Sequence, residues 1–271
     1  MILNLFHLIY ERLLAQEILN GPVPPHIAII MDGNRRFAKQ INEQNIVGHN
    51  KGAETIEKLL DWAHEIRIKQ VTLYAFSTEN FNRTAQEVEQ LFELMKDKFE
   101  ELLLNKKIYK NKVKVRAVGD INRVPEFLKE SIKNAEYATQ SHDELLLNIA
   151  IAYGGREDII QSVKEITDKV VRNELDFDDI TEDTISNHLY PIKGASIPAV
   201  DLIIRTGGDR RMSNFLPWQA NGSECAAYFC TSFWPNLRKI DFLRSIRVYQ
   251  TRIENKKPNT ANRIMRFLYS T

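Results

Sequence analysis

The 271 residues are 43% hydrophobic and carry 37 Lys and Arg against 36 Asp and Glu, a formal net charge of +1. That balance excludes the broad basic field through which proteins hold nucleic acid, so any anion binding must be local; the length suffices for the core of one large domain. The two cysteines, Cys225 and Cys230, lack the spacings of a disulfide framework or a metal site and read as reduced thiols of a cytoplasmic protein.

Within residues 1–20, Ile2, Leu5, Phe6, Ile9, Leu13 and Leu14 recur on one helical face, but Glu11 and Arg12 interrupt the run and no basic segment precedes it. The pattern predicts an amphipathic helix over 1–21 ahead of a main unit over 22–271, and neither a signal peptide nor the ~20 apolar residues of a membrane span. Such a face packs on its own domain or touches a membrane surface. After Gly21 and three prolines, residues 27–31 form a buried apolar strand that stops at Asp32-Gly33. Helical spacing over 51–66 and a strand over 71–76 follow.

Thr84 to Glu87 has the form of a capping box and opens a long helix ending near Asn105, with Val88, Leu91, Phe92, Met95 and Phe99 on its apolar stripe. Strands are predicted over 113–118, 145–152, 202–205 and 227–230, with helices over 125–139, 157–172, 182–189 and 240–254. The alternation predicts an α/β fold: a single domain with a central, mainly parallel sheet flanked by helices, and ligands at the carboxyl ends of the strands.

Four polar clusters fall where strands end or helices begin. Asp32-Gly33-Asn34-Arg35-Arg36 combines a glycine, a helix start and two guanidinium groups, all suited to phosphate, with a carboxylate that tolerates phosphate when a metal bridges them. Gly48-His49 precedes the predicted helix at 51. Ser77 to Arg83 gathers hydroxyl, carboxylate, amide and guanidinium groups after a strand. In Arg205 to Asn214, paired glycines release the backbone, Arg205, Arg210 and Arg211 can fork onto phosphate oxygens, Ser213 can donate and Asp209 can face a cation, a set suited to pyrophosphate. Asp178-Asp179-Ile180-Thr181-Glu182-Asp183 superficially suggests an aspartate-rich diphosphate motif, but its fifth position is Glu182 and Thr181 reads as a helix cap. Walker A, GxGxxG, GxSxG and HExxH patterns are absent from the sequence.

Together these segments resemble the cis-prenyltransferases, the family of undecaprenyl and dehydrodolichyl diphosphate synthases. MDGN at 31–34, FSTEN at 76–80, YGGR at 153–156 and RTGG with SNFLPWQ across 205–219 occur in the family's order, and the likeness runs from His26 to Pro235. The resemblance implies a hydrophobic tunnel between two long helices, a homodimer, and Mg2+-dependent addition of isopentenyl diphosphate to an allylic prenyl diphosphate with cis double bonds. It assigns the allylic diphosphate to Gly33, Asn34, Arg35, Arg36, His49 and Arg83 beside Asp32, and isopentenyl diphosphate to Arg205, Arg211 and Ser213. It gives Mg2+ to Asp32, Asp209 and Glu224 and catalytic positions to Asp32, Ser77 and Asn80; Val88, Leu91, Phe92 and Met95 are candidates for the tunnel wall, a stripe that by its spacing alone reads as ordinary core. An apolar product and the N-terminal helix together imply loose contact with a membrane surface.

Three positions depart from the family pattern: Arg35 stands where a glycine is usual, Asn45 where an arginine is usual, and Asp209 where a glutamate is usual. Asn45 cannot fork onto a diphosphate, and Arg35 can restore that charge from another direction. The departures leave open a different acceptor, a second allylic diphosphate or an alcohol. A non-catalytic lipid-binding subunit is the third reading, against which stand the retained Asp32, Arg205 and Arg211.

Overall fold

The computed structural model describes residues 2–190, 196–220 and 225–256, with side chains from residue 9 to 255. One six-stranded sheet forms the centre: β1 (His26–Ile30), β2 (Gln70–Ser77), β3 (Val113–Val118), β4 (Leu145–Tyr153), β5 (Leu202–Arg205) and β6 (Ala226–Phe229), in the order β3-β4-β2-β1-β5-β6. Every neighbouring pair is parallel. Parallel pairing requires long crossovers. These are supplied by α2 (Asn34–Gln40), α3 (Asn45–Glu65), α4 (Ala85–Leu104), α5 (Lys106–Lys110), α6 (Glu126–Thr139), α7 (Gly155–Val171) and α8 (Glu182–His188), while α1 (Ile2–Leu19) and α9 (Lys239–Lys256) flank them in sequence.

The apolar run of β1 is buried at all five positions because helices cover both faces of the sheet. Ile27, Ile29, Leu73 and Leu147 face the larger core, which α3, α4, α6 and α9 complete. Ala28, Ile30, Ala150 and Ile203 face a smaller one built with Tyr190, Phe215 and Leu216. His26 is the polar member of β1, and its ring is satisfied across the sheet: Nδ1 lies 3.1 Å from the Ala199 carbonyl and Nε2 lies 2.8 Å from the Thr72 hydroxyl, whose oxygen accepts from Asn148 Nδ2 at 2.9 Å. Burial above all lowers its pKa to about 4.

The N-terminal helix buries Leu14, Ala15 and Ile18, and Gln250 Nε2 on α9 donates to the Ile18 carbonyl at 2.8 Å. Ile9, Tyr10 and Leu13 on its other side are exposed. Among the described residues, no helix is long and apolar enough to cross a membrane.

Several boundaries differ from the sequence reading. α3 starts at Asn45, six residues before the predicted start, so Gly48 and His49 lie inside its first turns rather than ahead of it. Gly48 is a close-approach residue, since a Cβ there would collide with the Asn34 carbonyl of α2. The short helix α5 was not predicted, α2 was expected only as a helix start beside Gly33 with no extent, and β1 and β6 each begin one residue early. At α4 only half of the expected capping box forms: Thr84 Oγ1 accepts from Glu87 N at 3.3 Å, but the Glu87 carboxylate turns to Arg83. Thr181 caps α8 as expected, in a box with Thr184.

Candidate active site

The sheet order reverses at β1: the chain passes first to β2 on one side and, after β4, crosses to β5 on the other. A crevice therefore opens at the carboxyl ends of β1 and β5. Asp32 follows β1 by two residues, and Arg205 closes β5. The Arg205 side chain is 4% exposed and anchors the crevice. Its Nη2 donates to Asp32 Oδ2 at 2.8 Å and Asp209 Oδ2 at 3.1 Å, and its Nη1 donates to Ser213 Oγ at 2.7 Å and the Arg211 carbonyl at 2.8 Å. Arg36 reaches Asp32 Oδ1 at 3.1 Å, and Arg211 reaches Asp209 at 3.0 Å.

The Asp32 backbone is pinned where its side chain can meet Arg205. Its carbonyl accepts from Thr206 Oγ1 at 2.7 Å and from Trp234 N at 3.0 Å. Gly207 has φ 85°, and a Cβ there would stand 2.6 Å from the Arg36 guanidinium. The N–H groups of Gly207 and Gly208 donate to the Ser232 and Cys230 carbonyls at 2.8 and 2.9 Å, so these glycines serve the turn rather than donating into the crevice. Burial pushes the Asp32 carboxyl up, but the hydrogen bond from Arg205 and the nearby charges of Arg36 and Arg205 outweigh it and hold the pKa below the ordinary carboxylate value.

A second cationic set comes from three other elements. Arg35 on α2, His49 on α3 and Arg83 just before α4 converge on Glu87 Oε1, at 4.0, 4.0 and 2.9 Å. Burial, then the charges of Arg83 and Arg35, push the His49 pKa down to about 4, so its ring is neutral near pH 7. Glu87 was visible in the sequence only as a capping residue, and Thr206, Phe233 and Trp234 carried no separate signal. Phe233 packs under Arg36, with the guanidinium carbon 5.4 Å from the ring centre. Ser77 and Asn80 cap the turn Thr78–Asn82, where Asn80 Oδ1 accepts from Ser77 N at 3.0 Å.

Beside this second set opens an apolar channel of about 1190 Å3 of empty space, counting its mouth. Met31, Asn34, His49 and Trp234 line its crevice end, and Ile56, Leu60, Leu91, Met95 and Ile149 are among its wall residues. Two buried atoms at that end, Asn34 Oδ1 and His49 Nε2, have no hydrogen-bond partner and are available to a ligand. Two candidate wall residues are not among the lining: Phe92 packs on Phe76 at 4.9 Å between ring centres, and Val88 packs against the core.

The structure thus gathers Asp32, Arg36, Asp209, Arg211 and Ser213 about Arg205, and Arg35, His49 and Arg83 about Glu87. Glu224 lies outside the described residues. Among the described residues no three His, Cys, Asp or Glu side chains form a metal cluster. Two carboxylates suit Mg2+ nonetheless, because phosphate oxygens and water ordinarily complete its shell. Asp32 and Asp209 fit that role, since one guanidinium nitrogen holds both and their side chains are 30% and 35% exposed.

A parallel α/β sheet whose reversal point carries two cation sets beside a deep apolar channel defines an enzyme class that handles anionic head groups on long apolar tails. The chain belongs to the cis-prenyltransferases: residues 30–256 match the family described as "Putative undecaprenyl diphosphate synthase". It is similar to the tritrans,polycis-undecaprenyl-diphosphate synthase (geranylgeranyl-diphosphate specific) of Methanosarcina mazei, 54% identical over 96% of this chain and 88% of the relative. The protein of the same description from Methanocaldococcus jannaschii is 47% identical over 90% of this chain and 86% of its own. Among solved structures, lavandulyl diphosphate synthase from Lavandula x intermedia in complex with dimethylallyl diphosphate aligns with a TM-score of 0.77 at 34% identity, covering 84% of this chain and 95% of that one. A probable undecaprenyl diphosphate synthase from Campylobacter jejuni aligns with a TM-score of 0.67 at 33% identity and the same coverage.

Proposed function

We propose that the protein is a Mg2+-dependent cis-prenyltransferase that adds isopentenyl diphosphate repeatedly to an allylic prenyl diphosphate, with geranylgeranyl diphosphate as starter, and so makes a polyprenyl diphosphate. The observation that carries this reading is that His49, which lies with Arg35 and Arg83 about Glu87, also lines the mouth of the apolar channel, beside the crevice that Arg205 anchors. The starter named for the relatives fits the channel chemically.

In this reading the allylic diphosphate rests on Arg35, Arg36, His49, Arg83 and the Gly33-Asn34 backbone, with its tail along Leu91 and Met95. Isopentenyl diphosphate rests on Arg205, Arg211 and Ser213. The allylic carbon–oxygen bond breaks, the double bond of isopentenyl diphosphate forms the new carbon–carbon bond, and a proton leaves. Arginines held in place before the reaction stabilise the departing diphosphate without reorganising, and the apolar wall keeps water from the cationic fragment. Asp32 and Asp209 would hold Mg2+, which when bound neutralises diphosphate charge. Asp32, the Ser77-Asn80 pair and the released diphosphate are the candidate proton acceptors. A homodimer is the assembly the family resemblance implies, and the exposed Ile9, Tyr10 and Leu13 support loose contact of an otherwise cytoplasmic protein with a membrane surface.

The test is incorporation of labelled isopentenyl diphosphate by the purified chain with geranylgeranyl diphosphate and Mg2+. Label is expected in longer diphosphates, and none with Asp32→Ala or after chelation. Starter consumed without incorporation would instead favour the alternative acceptor.

A further inference from the structure

Glu87 carries the wrong sign of charge for a diphosphate subsite. Its Oε1 lies 2.9 Å from Arg83 Nη1, and 4.0 Å each from Arg35 and His49, groups that belong to three separate elements. Its side chain is only 16% exposed, so water screens these contacts less than those of a surface pair. The backbone is held in place by Thr84, which accepts from Glu87 N, in the first turn of α4 where the helix dipole favours an anion. Asp32 and Asp209, the carboxylates of the neighbouring set, are engaged by Arg36, Arg205 and Arg211 instead. With His49 neutral, the cluster by itself holds two guanidinium charges and one carboxylate, a net charge of about +1.

We infer that Glu87 is a built-in counter-anion: it occupies the allylic diphosphate subsite of the empty enzyme, is displaced from Arg83 when substrate binds, and returns to Arg83 as diphosphate leaves. This rests on the reading that Arg35, His49 and Arg83 receive the allylic diphosphate. The reasoning is electrostatic. The Arg83 guanidinium, 20% exposed and beside the half-exposed Arg35, would be costly without an anion, so an internal carboxylate stabilises the substrate-free state. The same carboxylate opposes a multiply charged diphosphate at the same place. A chain-elongating enzyme must release diphosphate after every addition, and an anion that re-pairs with Arg83 favours that release. An ordinary i,i+4 ion pair would leave substrate affinity unchanged or weaken it on removal, which is the opposite sign.

The experiment uses the full chain in Mg2+-free buffer with geranylgeranyl thiolodiphosphate, an unreactive probe whose tail directs it to the channel, titrated calorimetrically. Glu87→Gln is expected to bind the probe about tenfold more tightly, one charge removed from near contact being worth at least that factor, and Glu87→Asp to fall between Glu87→Gln and wild type. In turnover assays Glu87→Gln should lower both KM for the allylic substrate and kcat. Unchanged or weaker binding by Glu87→Gln, while Arg83→Gln weakens it, overturns the counter-anion and leaves the subsite reading intact. If Arg83→Gln leaves binding unaltered, the subsite reading fails and the inference falls with it. A crystal structure of the wild-type chain with the probe gives a readout independent of how the variants fold: the 2.9 Å Arg83–Glu87 contact is expected to be broken, and its persistence beside a seated diphosphate overturns the inference.

Discussion

Replacing Arg205 with methionine keeps the aliphatic stem and removes the donors that hold Asp32, Asp209, Ser213 and the Arg211 carbonyl together. Removing one partner of a buried charge network costs about 3–5 kcal/mol, because the remaining partners lose their compensation. Asp32 and Asp209 keep 30% and 35% of their side-chain exposure, so water can solvate what is left. The expected loss therefore sits at the lower end, about 3 kcal/mol, which in a chain of this size lowers Tm by roughly 6–12 °C. Asp32 should also titrate at higher pH, since Arg205 is a principal group holding its pKa down. Stability that the ionised Asp32 contributes is present above its unfolded pKa and lost as pH falls through the lower folded one, so Arg205→Met should lose less on acidification. Thermal denaturation across pH, with KM for isopentenyl diphosphate, checks both. A variant within 1 °C of wild type and with unchanged KM would refute the assignment of Arg205 as the anchor of the crevice.

Gly48→Ala should destabilise the fold by about 1–3 kcal/mol in urea denaturation, because its Cβ would push α2 from α3 at the Asn34 carbonyl. His26 stays neutral when folded, with a pKa of about 4 against an ordinary 6.5, so the unfolded chain takes up a proton that the folded one refuses as pH falls between these values. Stability is then lost by up to about 3 kcal/mol over that window, and His26→Gln should show a flatter pH dependence in denaturation titrations. His49 acts in the same direction, and Asp158, pushed up to about 6 by burial, in the opposite one. Met95→Trp should narrow the channel and shift the product distribution to shorter chains by mass spectrometry, with the first condensation slowed less than later ones.

The sequence was most legible where local chemistry and tertiary role coincide. The apolar run before Asp32-Gly33 marks a buried strand because parallel strands are covered on both faces, and Asp209, Arg211 and Ser213 are readable as one cluster because they follow Arg205 on the same loop, within reach of its side chain. The start of α3 was hidden because Asn45, Gly48, Asn50 and Lys51 give its first turns no continuous apolar stripe, and Gly48 is there for the contact with α2 rather than for helix propensity. α2 has seven residues, two of them arginine, too few for a period to emerge. Glu87 matched the capping pattern in the first turn of α4; beyond the nearby Arg83, its other neighbours Arg35 and His49 lie about 40 to 50 residues away in sequence, a convergence visible only once the helices are packed. Phe92 shows the converse limit: one apolar stripe supplied both core and channel residues, and spacing alone could not divide them.

The most direct measurement is a crystal structure of the wild-type chain with geranylgeranyl thiolodiphosphate, isopentenyl diphosphate and Mg2+. One diphosphate is expected on Arg35, His49 and Arg83 with its tail along Leu91 and Met95, the other on Arg205, Arg211 and Ser213, and the metal on Asp32. An allylic tail lying outside the channel between α3 and α4, or diphosphates seated away from both cation sets, would contradict the assignment of the crevice as the site of chain elongation.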